Sequence, residues 1–511
     1  MDLGRLLRNI TSQWALLGSQ LVISLLLTPF LVYRLGDEGY GIVALVSGLV
    51  GYSGVLYFGL GAAIVKFVAE HHAREDQQAL DETVSTIYGV YLAFGALCFS
   101  LALLIAAPLP ALFHIPPQHA NEARAMVVMM GVALLVQFPG SVYGGVVMGL
   151  QRFDVMNRYN FALLLARTVA TVIGVAMRPS VVVVGVITMV SFMAEQAMAY
   201  VFARRLLPGL TVSLALFRRA RLKTLFTFSA QSFLFTLSEK LINYTDEFVI
   251  SQALGPASVT FYVIPLRLVD YARDGIDRAT LVLLPGVSEA AARKQIDTLQ
   301  HLWRAGTKVA MCFVMPVALV FFTWGHHVMS LWLSPLHADR GREPLIWLAA
   351  AFIAQVAGRA LARPIFEGLG ELTIPARLTI VEGVLNLVMS VILVRAWGIG
   401  GVAFATFVPA LINSALVLPY FVCRRIGVSF VEHLTNVFVR TLPPLVPAYA
   451  VLWAAERAGL HRNLATLGLT CFVVLLVYVA GAVFVTFTAY ERKVVKTRIA
   501  RRSMPPPAES A

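Results

Sequence analysis

Ionisable side chains lie inside long apolar stretches of this sequence, where they could bind a charged ligand or carry protons. The densest group comprises Arg267, Asp270, Arg273, Asp274, Asp277 and Arg278. At 100° per residue, a helix places all six within about 140° of one face. A charged side chain at membrane depth costs at least about 2.5 kcal/mol. This face is therefore expected to contact water or other charged groups.

Basic residues also occur at membrane depth without nearby acids. Arg167, Arg359 and Arg363 have no acidic residue within four positions on the same predicted span. Arginine presents fixed paired donors and keeps its charge in a low-dielectric site, which suits a phosphate-bearing ligand. We predict a cationic cavity for an anionic substrate. The predicted substrate-binding residues are Arg167, Lys240, Arg267, Arg273, Arg278, Arg359 and Arg363.

The acidic residues have two interpretations that the sequence leaves open. They could neutralise the bases as buried ion pairs that hold the helices of the second half together. Alternatively, desolvated carboxylates could take up protons and couple substrate movement to a gradient. The predicted ion-coupling residues are Glu239, Glu247, Asp270 and Asp274.

These charged residues must be positioned by membrane-spanning helices. The chain is 58% hydrophobic and 14% charged, with a mean hydropathy of +0.76, which excludes an ordinary water-soluble surface. Apolar runs long enough to cross a hydrocarbon core of about 30 Å recur along it. We predict an all-α polytopic membrane protein with about fourteen transmembrane helices, at 11–34, 40–66, 83–107, 123–149, 155–177, 180–203, 224–253, 257–287, 305–333, 343–366, 372–395, 399–423, 435–456 and 463–488.

The distribution of basic residues predicts the orientation of these spans. Of the 41 Lys and Arg residues, 26 fall on the side of the N-terminus and eight on the other side. Because cytoplasmic segments are enriched in Lys and Arg, both termini are predicted to be cytoplasmic. The net charge of +13 is explained by these segments, so no nucleic-acid partner is predicted.

A sequence repeat at an offset of 219 residues predicts two related halves. It aligns Leu35 and Gly36 with Leu254 and Gly255. An even number of spans separates the copies, so the repeats run parallel. The expected architecture is two six-helix lobes around a central cavity, with two extra C-terminal helices. The predicted boundaries are 1–205 for the N-terminal lobe, 206–223 for a basic cytoplasmic linker, 224–425 for the C-terminal lobe, 426–490 for the extra helices and 491–511 for a basic cytoplasmic tail.

Motifs for enzymatic or cofactor chemistry are missing from the sequence. No stretch matches the phosphate loop G-x-x-x-x-G-K-[ST]. The histidine pairs at 71–72 and 326–327 lie at helix ends, where neighbouring side chains diverge, and the four cysteines have no paired spacing. We predict no catalytic residues, no metal site and no cofactor, with energy supplied by a gradient or by the substrate.

Three segments resemble the Wzx-type polysaccharide flippases of the multidrug, oligosaccharidyl-lipid and polysaccharide exporter superfamily. Residues 35–41, Leu-Gly-Asp-Glu-Gly-Tyr-Gly, resemble that family's connection after the first helix. Residues 58–61, Phe-Gly-Leu-Gly, are similar to part of its second helix. Residues 149–154, Gly-Leu-Gln-Arg-Phe-Asp, followed by Asn157, resemble its link between the fourth and fifth helices.

The resemblance implies two lobes that alternately open a cationic cavity to each side of the bacterial inner membrane. The implied substrate is an undecaprenyl-diphosphate-linked oligosaccharide, moved to the periplasmic leaflet for O-antigen or exopolysaccharide synthesis. The implied partners are this substrate, membrane lipids, a polysaccharide polymerase and a chain-length regulator. The candidate arginines are selected by their helical spacing, and none of them corresponds to a position in a family motif.

Other functions fit part of the sequence. An ion-coupled multidrug or cation antiporter of the same superfamily would have a cavity dominated by carboxylates. A lipid II flippase would bind a chemically similar substrate. A membrane acyltransferase or polysaccharide ligase would need catalytic residues near an outer face, and the short outer loops disfavour it.

Overall fold

The computed structural model describes residues 3–281, 284–371 and 373–487, except for some side chains within helices, including all those before Gly18. The described residues form helices and connecting turns and contain no β-strand, which confirms the all-α class. A π-helix, Ala410–Val417, and four short 3₁₀ turns lie between some of the helices. The α-helices are α1 (Leu3–Ser53), α2 (Leu60–Ala73), α3 (Gln77–Ala106), α4 (Leu109–Leu112), α5 (Pro117–Gly149), α6 (Phe153–Met177), α7 (Val181–Leu206), α8 (Arg219–Leu254), α9 (Pro256–Leu281), α10 (Leu284–Ala292), α11 (Ile296–Trp332), α12 (Pro335–Leu369), α13 (Thr373–Pro409), α14 (Leu418–Ile426), α15 (Phe430–Val437), α16 (Leu445–Arg457) and α17 (Leu464–Val485).

Ten helical stretches of the described chain are long and apolar enough to cross a membrane. Two of them, Gly18–Tyr57 and Thr373–Ile426, each contain two predicted spans, with a break in the helical backbone at Gly36 and at Gly398. The seventh and eighth predicted spans correspond to α8 and α9, which fall outside the ten because they carry many polar and charged residues. The protein is a multi-pass membrane protein, and most predicted spans coincide with helices. The prediction of one continuous helix is wrong for 40–66, which the 3₁₀ turn Gly54–Tyr57 divides, and for 435–456, which the 3₁₀ turn Val439–Thr441 divides.

Left-handed backbone conformations recur at the repeat distance predicted from the sequence. Three pairs of residues 219 positions apart have positive φ, namely Gly36 and Gly255 (70° and 83°), Glu75 and Lys294 (57° and 54°), and Gln151 and Gly370 (57° and 73°). Positive φ is uncommon, especially outside glycine. Three coincidences at one offset therefore show that the chain turns at equivalent places in both copies, as a parallel repeat requires.

The described helices group into two compact units. The first unit comprises Met1–Val263 and Leu387–Val402, and the second comprises Ile264–Asn386 and Ala403–Ala511. The first unit has two buried apolar clusters, which include Tyr91 with Phe138 and Ile42 with Leu45. The second has a cluster that includes Trp303. The predicted lobes, 1–205 and 224–425, are defined by sequence repetition and stay a prediction.

The predicted linker, 206–223, folds against the N-terminal half of α3 within the first unit. Glu82 on α3 contacts two linker arginines, with Oε2 2.9 Å from Arg221 Nη2 and Oε1 3.2 Å from Arg218 Nε. Three linker amides also donate to α3 side chains, from Thr211 to Asp81, from Ser213 to Ser85 and from Arg218 to Thr86. The linker is thus held by ion pairs and by backbone hydrogen bonds.

Candidate functional site

A buried carboxylate, Glu382 on α13, lies at the centre of a polar cluster in the second unit. The residue is 2% exposed. Its Oε2 accepts hydrogen bonds from Asn413 Nδ2 at 2.6 Å and from Ser414 Oγ at 3.0 Å. Arg359 Nη2 on α12 lies 2.9 Å from the same oxygen, but the contact lacks hydrogen-bond geometry. Arg359 therefore meets Glu382 as an ion pair, while the π-helix supplies the hydrogen bonds.

The local sequence explains why α12 and the π-helix approach so closely here. At Gly358, next to Arg359, an added Cβ atom would overlap the carbonyl oxygen of Ser414, so only glycine fits. The π-helix follows directly after Pro409, a residue that cannot donate the amide hydrogen bond of a regular helix. This π-helix is eight residues long, and shorter π-helical turns are frequently found at functional sites. Asn413 and Ser414 belong to this π-helix.

Other predicted binding residues of the second unit pair with acids on their own helix. Arg363 Nε lies 3.0 Å from Glu367 Oε1. The expectation that Arg363 has no acidic neighbour on its helix is wrong, because α12 continues past the predicted end at 366. On α9, Asp270 lies between Arg273, at 3.1 Å, and Arg267, at 3.9 Å. Acids therefore compensate part of the positive charge.

Two predicted binding residues, Arg167 and Lys240, lie in the first unit. Arg167 on α6 donates a long hydrogen bond of 3.5 Å to Thr188 Oγ1 on α7, and it interacts electrostatically with Glu195 on the same helix as Thr188. Lys240 Nζ on α8 lies 4.7 Å from the ring centre of Tyr244. Such a cation–π contact contributes about 0.5–2 kcal/mol. Both bases thus find partners within the first unit.

Two buried carboxylates follow one another on α8. Glu247, a predicted ion-coupling residue, and Asp246 are each 5% exposed. Asp246 accepts hydrogen bonds from Tyr262 Oη at 2.5 Å and from Ser390 Oγ at 3.4 Å. Glu247 faces Gly48, where an added Cβ atom would lie 3.5 Å from Oε2. The first unit therefore has its own buried acidic group.

The predicted site residues divide between the two units. The second unit contains Arg267, Asp270, Arg273, Arg359 and Arg363, and the exposed side chain of Asp274. The side chains of Arg278 and Glu239 lie outside the described residues. That these residues line one cavity stays a prediction. In the part of the chain that the structure describes, no group of three or more His, Cys, Asp or Glu side chains could hold a metal ion.

Sequence reasoning missed Glu382 and its neighbours as site residues. Glu382 is a single acid in an apolar stretch of α13, and Asn413 and Ser414 form an adjacent polar pair soon after Pro409. Each of these signals is visible in the sequence, since polar residues in membrane spans are unusual. The convergence of Arg359, Asn413 and Ser414 on Glu382 is not visible, because it depends on contacts between separate helices.

Comparison with known proteins gives the family. A family model described as "Polysaccharide biosynthesis protein" matches residues 6–290. The chain belongs to this family. The membership confirms the resemblance to the polysaccharide flippases, and with it the prediction of a transporter rather than an enzyme.

Relatives and solved structures agree with this membership over most of the chain. The "Uncharacterized membrane protein EpsK" of Bacillus subtilis is 20% identical, covering 85% of this chain and 86% of the relative. The "Putative O-antigen transporter" of Shigella flexneri is 21% identical, covering 82% of this chain and 98% of the relative. A solved structure of the lipid II flippase MurJ has the same fold, with a TM-score of 0.71, 11% identity and coverage of 95% of this chain and 99% of MurJ.

Proposed function

We propose that this protein is a flippase for undecaprenyl-diphosphate-linked oligosaccharides. It would move them from the cytoplasmic to the periplasmic leaflet of the bacterial inner membrane, for O-antigen or exopolysaccharide synthesis. The family, the relative named for O-antigen transport and the fold shared with a lipid flippase support this proposal. A polysaccharide polymerase and a chain-length regulator are the expected partners that use the product.

The exposure of three arginine side chains is the observation that favours an anionic substrate. The side chains of Arg267, Arg359 and Arg363 are 42%, 27% and 50% exposed, although all three lie on helices that we assign to the membrane. A guanidinium against lipid tails costs at least about 2.5 kcal/mol, so these exposed surfaces are expected to face water. Guanidinium groups bind phosphate through paired hydrogen bonds. A water-filled, arginine-lined cavity would hold the diphosphate while the prenyl tail stays in lipid.

We infer an alternating-access cycle for this transport. The two copies of the repeat, 1–205 and 224–425, would open the cavity first to the cytoplasm and then to the periplasm. The excess of basic residues on the side of the N-terminus supports cytoplasmic termini. The linker, 206–223, would then connect the two copies on the cytoplasmic side.

Transport in proteoliposomes tests the proposal. A fluorescent undecaprenyl-diphosphate oligosaccharide should change leaflet faster in vesicles that contain the protein than in empty vesicles. A fluorescent phosphatidylethanolamine in the same vesicles is the control, and its exchange should stay at the rate of empty vesicles. Equal rates for the diphosphate lipid with and without the folded protein would contradict the proposed function.

A cation antiporter of the same superfamily is the second candidate. The buried pair Asp246 and Glu247 favours it, because carboxylates can bind cationic drugs, sodium or protons. This function predicts extrusion of a cationic dye under a sodium or proton gradient and no movement of the diphosphate lipid. A lipid II flippase would instead move lipid II faster than diphosphate lipids carrying other oligosaccharides.

A further inference from the structure

We propose that Glu382 is a proton-binding site, and that it takes up a proton when a phosphate group of the substrate binds Arg359. The inference rests on the proposed function, since it requires Arg359 to bind the substrate's diphosphate. It adds a coupling residue that differs from the four acids predicted from the sequence.

The two carboxylate oxygens of Glu382 differ in their contacts with the described residues. Asn413, Ser414 and Arg359 all converge on Oε2. Among the residues that the structure describes, none donates a hydrogen bond to Oε1. Because Glu382 is 2% exposed, its negative charge is compensated by contacts within the protein rather than by bulk water. Oε1 is therefore the atom where a proton can be added without breaking a hydrogen bond from any described residue.

Arg359 is the cation that compensates this buried charge, and it can be recruited by a ligand. Its side chain as a whole is 27% exposed, whereas its Nη2 atom is buried close to Glu382 and forms no hydrogen bond of normal geometry. Hydrogen bonds from arginine to phosphate are charge-assisted and commonly paired. A diphosphate carries more negative charge than one carboxylate, so it competes effectively with Glu382 for Arg359.

Binding of the anion at Arg359 has a direct consequence for Glu382. Once the guanidinium turns to the phosphate, the carboxylate remains buried without its counter-ion, and a proton can take the place of that cation. A proton from water then bonds to Oε1 and gives the neutral acid. Asn413 and Ser414 continue to donate to Oε2, so no other bond changes. The phosphate-bound state is thus also the protonated state, so proton uptake and phosphate binding favour each other.

Glu382 is the group whose charge changes in this scheme. From the π-helix, Asn413 and Ser414 contact Glu382, and neither side chain titrates. From α12, Arg359 contacts Glu382. Arg363 lies one helical turn after Arg359 and pairs with Glu367. Arginine keeps its proton throughout the physiological range. Of Glu382 and the three described residues that contact it, only Glu382 can therefore gain a proton as the anion binds.

The pH dependence of ligand affinity tests this linkage. Undecaprenyl diphosphate is titrated into the purified protein in nanodiscs across roughly pH 6 to 8, where linkage of one proton weakens binding by up to about tenfold per pH unit. Wild type should bind more weakly as the pH rises. Glu382→Gln mimics the neutral acid, so it should keep the affinity that wild type has at low pH. Its remaining pH dependence reports the titration of the diphosphate itself, which both proteins share.

Two further variants make the comparison specific. Glu382→Asp keeps a titratable group and should restore a wild-type-like pH dependence. Glu289→Gln removes an exposed acid that pairs with Arg293, and it should behave as wild type. Proton uptake, followed with a pH-sensitive dye in weak buffer, should be about one per ligand greater in wild type than in Glu382→Gln. This difference is independent of the fitted affinities.

The possible failures are distinguishable. If wild type binds the diphosphate but Glu382→Gln shows the same pH dependence and proton uptake, the inference is overturned and the proposed function stands. If sodium rather than pH shifts the affinity through Glu382, the site binds a metal cation and the proton assignment is wrong. If folded wild type binds no diphosphate at any pH, the proposed function itself fails.

Discussion

Gly36 and Gly255, 219 residues apart in the sequence, share one backbone conformation. Their φ values are 70° and 83°, and their ψ values are 172° and 168°. This combination lies in a region of backbone space that is essentially restricted to glycine. At Gly36 it breaks α1 into two arms, and at Gly255 it separates α8 from α9. Both copies of the repeat therefore turn between their first two spans in the same way.

Alanine at either of these glycines should destabilise the protein. We expect Gly36→Ala and Gly255→Ala each to cost about 1–3 kcal/mol, because alanine strongly disfavours this conformation. The measurement is the thermal unfolding temperature in detergent. Gly144→Ala is the control, since an added Cβ atom at this helical position would meet no atom within 4 Å. Equal unfolding temperatures for all three variants would contradict the conformational requirement.

The contact between α12 and the π-helix should depend on Gly358. We expect Gly358→Ala to lower the unfolding temperature, because the added methyl group overlaps the Ser414 carbonyl oxygen and overpacking typically costs about 1–3 kcal/mol. Gly468→Ala, a helical position with open space around the added Cβ atom, provides the comparison. A Gly358→Ala protein as stable as the Gly468→Ala protein would show that the helices do not pack this closely.

The linker, 206–223, should detach more readily from α3 when Glu82 is neutralised. Glu82→Gln removes the carboxylate that contacts Arg218 and Arg221, and trypsin should then cleave after these arginines faster than in wild type. Glu70→Gln is the control, since Glu70 pairs with Arg74 at the C-terminal end of α2 and not with the linker. Unchanged cleavage in Glu82→Gln would mean that the backbone hydrogen bonds hold the linker without the ion pairs.

The membrane spans could be predicted from sequence because their signal is local. An apolar stretch of sufficient length defines a span, and the predicted breaks coincide with Gly36 and Gly398. The ends of helices were harder to place, since polar residues continue a helix beyond its apolar part. This is why the Arg363–Glu367 pair was missed, as α12 continues past its predicted end.

The candidate site could be predicted only as a set of charges. Periodicity placed Asp270 near Arg267 and Arg273, since residues three apart share a helix face. The partner of Arg359 could not be found in this way, because Glu382 lies on another helix and its other neighbours come from a π-helix. Such contacts depend on how helices pack, which the residue pattern within each helix does not reveal.

Arg359 and Glu382 should be coupled in stability. Above neutral pH, where proton uptake does not neutralise the carboxylate, Arg359→Gln leaves Glu382 buried without its cation, which typically costs about 3–5 kcal/mol. Adding Glu382→Gln removes the unpaired charge, so the double variant should unfold at a higher temperature than Arg359→Gln alone. If the two substitutions instead lower the unfolding temperature additively, the ion pair does not form in the protein.

The flipping rate of the diphosphate lipid, with and without Arg359, is the most direct test of the proposed substrate site. The comparison in proteoliposomes is between Glu382→Gln and Arg359→Gln/Glu382→Gln, so that neither protein contains the Glu382 carboxylate without its cation. Arg293→Gln/Glu382→Gln, which changes an arginine 65% accessible to solvent in the same background, is the control. Losing charge-assisted hydrogen bonds to phosphate, worth about 1.5–3 kcal/mol, should slow the double variant by about tenfold to a hundredfold at limiting substrate. The same rate in all three folded proteins would show that Arg359 does not bind the diphosphate.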